Sequence, residues 1–178
     1  MMNIFPVITT ERLILRQFRE DDIEEVYRGL SHQEVIKYYG VQYDSLSATQ
    51  EQMDWFRQIV EEEKGIWWAV CNRHNPTFLG AIGFNDWSKE NRKIQTGYWL
   101  LPENWGKGII TEAGHAACRY AFDFMSVHRI EAVVETGNLG SRKVMKSLGF
   151  EYEGTMRDCE IKNDRWISLE MYAKLNNR

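Results

Sequence analysis

Apolar positions along the chain fall into two periods, helical in the first third and strand-like through the middle. Ile23, Val26, Tyr27 and Leu30 stand three to four apart, which predicts a helix with one apolar face and with Asp21 or Asp22 as its cap. His32 to Tyr39 predicts a second short helix, ended by Gly40. Met53, Phe56, Ile59 and Val60 predict a third, capped by Ser47 or Thr49 and running out into the solvated charges Glu61 to Lys64. Ahead of all three, Arg12 to Arg16 is a short β-prone segment.

From Gly65 the period changes. Ile66 to Cys71 and Phe78 to Phe84 are strands, and the polar turn between them, which contains Pro76, is short enough to make the pair antiparallel. A polar loop over Asn85 to Lys93 leads to a third strand, Lys93 to Leu101. Ile109, Ile110, Ala113, Ala116, Ala117, Tyr120, Ala121 and Phe124 then cover one face of a long helix. Val127 to Val134 reads as the next strand, so strand, helix and strand form a βαβ unit with parallel strands and a right-handed crossover. A short helix from Ser141 to Leu148 ends at Gly149, and strands near 151–157 and 166–173 close the chain as a hairpin through Asn163 and Asp164. This order predicts an α+β fold: a mixed, mostly antiparallel sheet with a central parallel strand pair, flanked by helices.

Length and composition narrow the function without naming it. The 178 residues fit a single domain spanning 1–178. Seven Trp and only three Pro argue against disorder. A net charge of −4 gives no general attraction to nucleic acid and suits a cationic acceptor only weakly. Cys71, Cys118 and Cys159 are far apart, and neither they nor His32, His74, His115 and His128 show metal-ligand spacing, so no metal is expected. Reduced thiols in a cytoplasmic protein are the simplest expectation. Met1 to Pro6 lacks the basic and apolar regions of a signal peptide, and no apolar run approaches membrane-spanning length.

The chemistry concentrates in the stretch from Trp99 to Ala113, which reads as a strand end, a glycine-bearing loop and a helix start. Gly106 and Gly108 carry no Cβ, so a ligand can approach their backbone closely. The first N–H groups of the following helix lack partners within it, and the helix dipole is positive there, so a pyrophosphate is the natural guest. A P-loop is excluded, because Lys107 is followed by Gly108 and no glycine precedes Gly106 at the required distance. A dinucleotide fingerprint fits Gly106 and Gly108 but has Thr111 at its third glycine and Pro102 and Glu103 lengthening the turn, although Glu131 or Glu135 could imitate the ribose-binding acid. A third candidate phosphate ligand is coenzyme A.

Several motifs stand in a fixed order. Thr10-Glu11-Arg12-Leu13-Ile14-Leu15-Arg16 comes first, then Gly97-Tyr98-Trp99-Leu100 with Pro102-Glu103, Trp105-Gly106-Lys107-Gly108 and Thr111-Glu112-Ala113. His128-Arg129-Ile130-Glu131-Ala132, Asn138-Leu139-Gly140-Ser141, Leu148-Gly149-Phe150 and Glu153-Gly154-Thr155-Met156-Arg157 follow. In order and spacing over almost the whole chain they resemble the GNAT acyltransferases, in particular the branch of the ribosomal-protein N-terminal acetyltransferases RimJ and RimL. The sequence departs from the general pattern at Trp105 and Ile110 in the loop, at Met145 where many members carry a tyrosine acid, and at Gln95 where the branch usually has Glu.

The resemblance implies an acetyl-CoA-dependent N-acetyltransferase working by direct attack of an amine. It implies that acetyl-CoA lies between the parallel strands, along Trp99, Leu100 and Leu101, with Trp105, Gly106, Lys107, Gly108, Ile109, Ile110 and Thr111 at its pyrophosphate and Asn138 at its pantetheine arm. It places a catalytic base at Glu160 and an acid at Ser141, whose ordinary structural roles would be a solvent-facing hairpin carboxylate and a helix cap. Arg142 and Lys143 could meet coenzyme A phosphates or simply be solvated, and Asp86 could meet an incoming ammonium. The implied acceptor is a protein or peptide N-terminus; a small amine such as a polyamine or aminoglycoside is the alternative, and a non-catalytic acyl-CoA-binding module is the alternative of another class. Neither nucleic acid nor a membrane is an expected partner, and monomer and homodimer are both compatible with the residues.

Overall fold

The computed structural model describes residues 5–177, so Met1 to Ile4 of the N-terminal stretch read above lie outside it. An eight-stranded sheet organises the molecule. β1 (Ile8–Thr9), β2 (Leu13–Arg16), β3 (Ile66–Asn72), β4 (Phe78–Ser88) and β5 (Lys93–Leu100) follow one another across it, all antiparallel. β6 (Arg129–Glu135) lies parallel to β5, and β8 (Arg165–Leu175) and the edge strand β7 (Glu151–Lys162) complete it. The mixed, mostly antiparallel sheet with one central parallel pair is the predicted architecture.

Helices cover both faces because strand alternation gives each face its own apolar set. α1 (Ile23–Leu30), α2 (Gln33–Ile36) and α3 (Leu46–Glu61) bury Val26, Leu30, Val35, Met53, Phe56 and Ile59 against Trp67, Ala69, Ala81 and Trp99. α4 (Ile109–Phe124) and α5 (Leu139–Leu148) bury Ile110, Ala113, Ala117, Met145 and Leu148 on the opposite face, against Trp68, Ile82, Ile94 and Ile130. Trp67 lies flat over β4 and β5 only because Gly83 and Gly97 leave room: a Cβ at either would stand 2.3 Å or 2.9 Å from its ring.

Four local expectations need correction. Ser45, not Ser47 or Thr49, caps α3, its hydroxyl accepting from the Ala48 amide at 3.1 Å. Asp22 does not cap α1; both its oxygens are taken by Arg16, at 2.7 and 2.8 Å, and one also by the Arg19 amide. Asn85 to Ser88 continue β4 instead of forming a loop, with Asn85 opposite Gln95 and Ser88 opposite Lys93. α2 stops at Ile36, and His32 caps it.

Candidate active site

β5 and β6 pair only from Lys93 to Gln95 and from Arg129 to Glu131, and beyond that the two strands diverge. The gap opens into a cleft of about 760 Å³ between the two helical layers. Its walls come from β5, β6, the loop after β5, the first turns of α4 and α5, and the α2 segment. The Leu101 amide donates to the Leu79 carbonyl on the β4 side. Since N–H groups alternate along a strand, the amides of Leu100 and Tyr98 face the gap. Trp105 closes this end of the cleft and fixes the strand end, its indole N–H donating to the Leu100 carbonyl at 3.0 Å.

The loop from Gly106 to Thr111 meets the geometric conditions for an anion. Gly106 and Gly108 both have φ of 71°, the left-handed region that glycine adopts without strain. A Cβ on Gly106 would meet nothing within 4 Å, and one on Gly108 only Arg12 Nη2 at 3.6 Å, so both glycines present bare backbone to open space. Gly108 is the N-cap of α4 and offers no side chain to its first turn. Among the described residues the amides from Gly106 to Thr111 find no acceptor, which leaves a row of N–H groups at the positive end of a sixteen-residue helix. Behind the loop, Arg12 Nη1 donates to the Lys107 carbonyl at 3.0 Å. This arrangement fits a pyrophosphate without displacement of any side chain.

On the other side of the gap, Asn138 caps α5: its side-chain oxygen accepts the Ser141 amide hydrogen at 3.0 Å, and the amide NH₂ is left for the cleft. Ser141 is thus relieved of the capping role, and its hydroxyl lies 2.8 Å from the Tyr98 hydroxyl of β5. Burial pushes the Tyr98 phenol up to about 12, with the Ser141 hydrogen bond pulling the other way, so the phenol stays protonated at neutral pH. Sequence reasoning did not single out Tyr98, since nothing local marks a tyrosine as the partner of a serine 43 residues away.

Most of the residues named from the sequence converge on the cleft. Trp99, Leu100, Trp105, Gly106, Gly108, Ile109, Ile110, Thr111, Asn138 and Ser141 line it, and so do Lys143, Met145 and Gln95. Leu101 does not: it is fully buried beneath α1 and α3, and its amide is committed to Leu79. Lys107 has its side chain in solvent and contributes only backbone. Arg142 is not among the lining; its Nη2 is tied at 2.5 Å to Glu170, which is only 8 % exposed and also accepts from the Tyr172 hydroxyl. Asp86 is not among the lining; its carboxylate accepts from the side-chain amide of Asn85, which is.

Glu160 stands on an exposed part of β7, beside a bulge between Met156 and Glu160, and is not part of the lining. It shares a strand face with Lys162, whose ammonium donates to the Lys37 carbonyl and, at 3.0 Å, to Glu135. Lys162 therefore ties the end of β7 to the wall of the cleft formed by Glu34, Lys37, Tyr38, Tyr39 and Glu135. No group of His, Cys, Asp and Glu among the described residues could hold a metal ion, and no described helix is long and apolar enough to cross a membrane. All three cysteines are free, Cys71 and Cys118 buried and Cys159 exposed.

Comparison with known proteins agrees with this geometry. The family description "Acetyltransferase (GNAT) domain" matches residues 12–151. The uncharacterized N-acetyltransferase YoaA of Bacillus subtilis is 31% identical over 98% of this chain and 99% of its own. The ribosomal-protein-serine acetyltransferase of Escherichia coli is 29% identical over 54% of each chain. A crystal structure of a GNAT-family acetyltransferase from Bacillus anthracis superposes with a TM-score of 0.85 at 26% identity, covering 96% of this chain and 98% of that one.

Proposed function

The chain belongs to the GNAT family of N-acetyltransferases, and from that premise we propose that it transfers the acetyl group of acetyl-CoA to the N-terminal α-amine of a protein or peptide. The observation that carries the proposal is the row of unpartnered amides from Gly106 to Thr111, at the end of a cleft that widens between β5 and β6. When bound, acetyl-CoA supplies the acetyl group as a thioester. The amides of Gly106, Lys107, Gly108, Ile109 and Ile110 and the Thr111 hydroxyl hold its pyrophosphate. The Asn138 amide NH₂ takes the pantetheine arm. The Leu100 and Tyr98 amides, which face the gap, polarise the carbonyl and stabilise the charge that develops on its oxygen. The Ser141 hydroxyl donates a hydrogen bond to the departing sulfur, and Glu160, outside the cleft lining, takes the proton of the attacking amine by way of solvent.

At this end of the cleft Glu34 offers a carboxylate to an incoming amine, while Glu135 is already paired with Lys162 and the Tyr38 ring is already faced by the ammoniums of Lys37 and Lys162. An α-amine has a pKa near 8 and is about a tenth neutral at pH 7, so it needs no strong base held against it. A lysine amine near 10.4 would need far more help. The Escherichia coli relative named for a ribosomal protein favours the same acceptor class. The test is a panel of peptides with free N-termini beside polyamines and aminoglycosides, with products identified by mass. Acetylation of peptide α-amines is expected. Turnover confined to small amines overturns the acceptor, and tight acetyl-CoA binding with no acceptor modified by the folded protein overturns the enzymatic reading.

A further inference from the structure

Tyr98 and Ser141 are the one hydroxyl pair that bridges the two walls of the cleft among the described residues, one on β5 and the other in the first turn of α5. Two hydroxyls 2.8 Å apart share one hydrogen and leave the other uncommitted. Neither oxygen has a further partner among the described residues. Either hydroxyl can be the donor, and the two oxygens differ in how firmly they are placed. Tyr98 sits in a regular strand with a ring packed against the core, so its hydroxyl is held at one place. The Ser141 hydroxyl rotates freely about a single bond, and its amide is already anchored on Asn138.

We propose that Tyr98 is a positioning residue for the leaving-group end of the reaction: its phenol donates to Ser141 Oγ and thereby turns the serine hydrogen into the cleft, toward the sulfur that departs. This rests on the role given to Ser141 above. The phenol needs to give up no proton; it removes the other orientations open to the serine. The C–N bond forms first and moves the carbonyl electron pair onto oxygen; its return breaks the C–S bond, the sulfur leaves as a thiolate, and the serine O–H is the hydrogen-bond donor it meets. Met145, one helical turn along α5, is buried and apolar and offers no hydroxyl for the task.

Tyr98→Phe keeps the ring and its packing and deletes only the hydrogen bond. It is expected to lower kcat by about tenfold, the worth of one orienting hydrogen bond, while the KM for acetyl-CoA stays within about twofold, a split that a collapsed cleft would not give. Ser141→Ala lowers kcat further, and the double variant Tyr98→Phe/Ser141→Ala equals Ser141→Ala alone, because the phenol acts only through the serine. Wild-type kcat in Tyr98→Phe, or losses that add in the double variant, overturns the inference and leaves the proposed function standing. Wild-type kcat in Ser141→Ala overturns the role of Ser141 and the inference with it.

Discussion

Arg12 is clamped to Glu112 across the mouth of the loop: its Nε lies 2.6 Å from Oε2, and its main-chain N–H donates to Oε1 at 2.9 Å. Thr10 adds a hydroxyl to the same carboxylate at 2.6 Å. The clamp joins the start of β2 to the first turn of α4, and its free arm holds the Lys107 carbonyl out of the cleft. That leaves the neighbouring N–H groups facing the ligand. Arg12→Ala is therefore expected to weaken acetyl-CoA binding by about tenfold, the scale of one charge-assisted hydrogen bond, with the sheet intact by circular dichroism. Isothermal titration checks it.

The same carboxylate sets a pH dependence. Partial burial pushes Glu112 up, but the hydrogen bonds from Thr10 and from the Arg12 amide and guanidinium outweigh it, and its pKa is lowered. A group depressed in the folded state contributes stability above its unfolded value and loses it as pH falls through the folded one. Thermal unfolding of the wild type and of Glu112→Gln should differ most above about pH 5, where the unfolded carboxyl is ionised. The difference should shrink steadily below about pH 4.

Gly108 tests the backbone rather than a side chain. A Cβ there has room, so Gly108→Ala should fold, at a cost of about 1 kcal/mol for a non-glycine residue at φ 71°. Chemical denaturation measures that cost. The added methyl stands on the Arg12 side of the loop, 3.6 Å from Nη2, so a fall in acetyl-CoA affinity beyond that cost reports the strained loop backbone and not a filled approach.

Glu170→Ala separates a structural pair from the chemistry. The Arg142–Glu170 pair holds α5 onto β8, and removing its carboxylate strands a guanidinium that is about one-third exposed. The expected loss is about 2 kcal/mol, below the range for a fully buried pair because Arg142 retains some water. Denaturant titration measures it, and acetyl-CoA affinity should change less than twofold in the protein that remains folded.

Glu160→Gln bears on the amine side alone. It should lower turnover of an α-amine by about tenfold at pH 7 and by progressively less toward pH 9, where the amine is neutral without help. Acetyl-CoA affinity should stay unchanged, since Glu160 lies outside the cleft lining. An unchanged pH–rate profile removes Glu160 from the mechanism.

What could be read in the chain followed how local each signal was. The βαβ unit was legible because Ile109 to Phe124 keep a helical apolar period and Gly106 and Gly108 mark the entry turn. The cap of α3 was misplaced by two to four residues because Ser45, Ser47 and Thr49 are chemically equivalent, and only the fold decides which one is extended. Asn85 to Ser88 looked like a loop because a ladder with Gln95 and Lys93 overrides polar composition. Leu101 and Trp99 followed from strand pattern, but which amides face the gap depends on the Leu79 pairing. The Arg12–Glu112 clamp and the Tyr98–Ser141 pair join residues 100 and 43 positions apart, and no periodicity carries that information.

The central claim is that acetyl-CoA occupies the loop after β5, and its most direct measurement is calorimetric binding of acetyl-CoA to the wild type and to Gly108→Trp. The account predicts micromolar-range binding by the wild type and loss of it when an indole fills the approach to the Gly106–Thr111 amides, with the variant folded. Equal binding by both proteins, or none by a well-folded wild type, would contradict it.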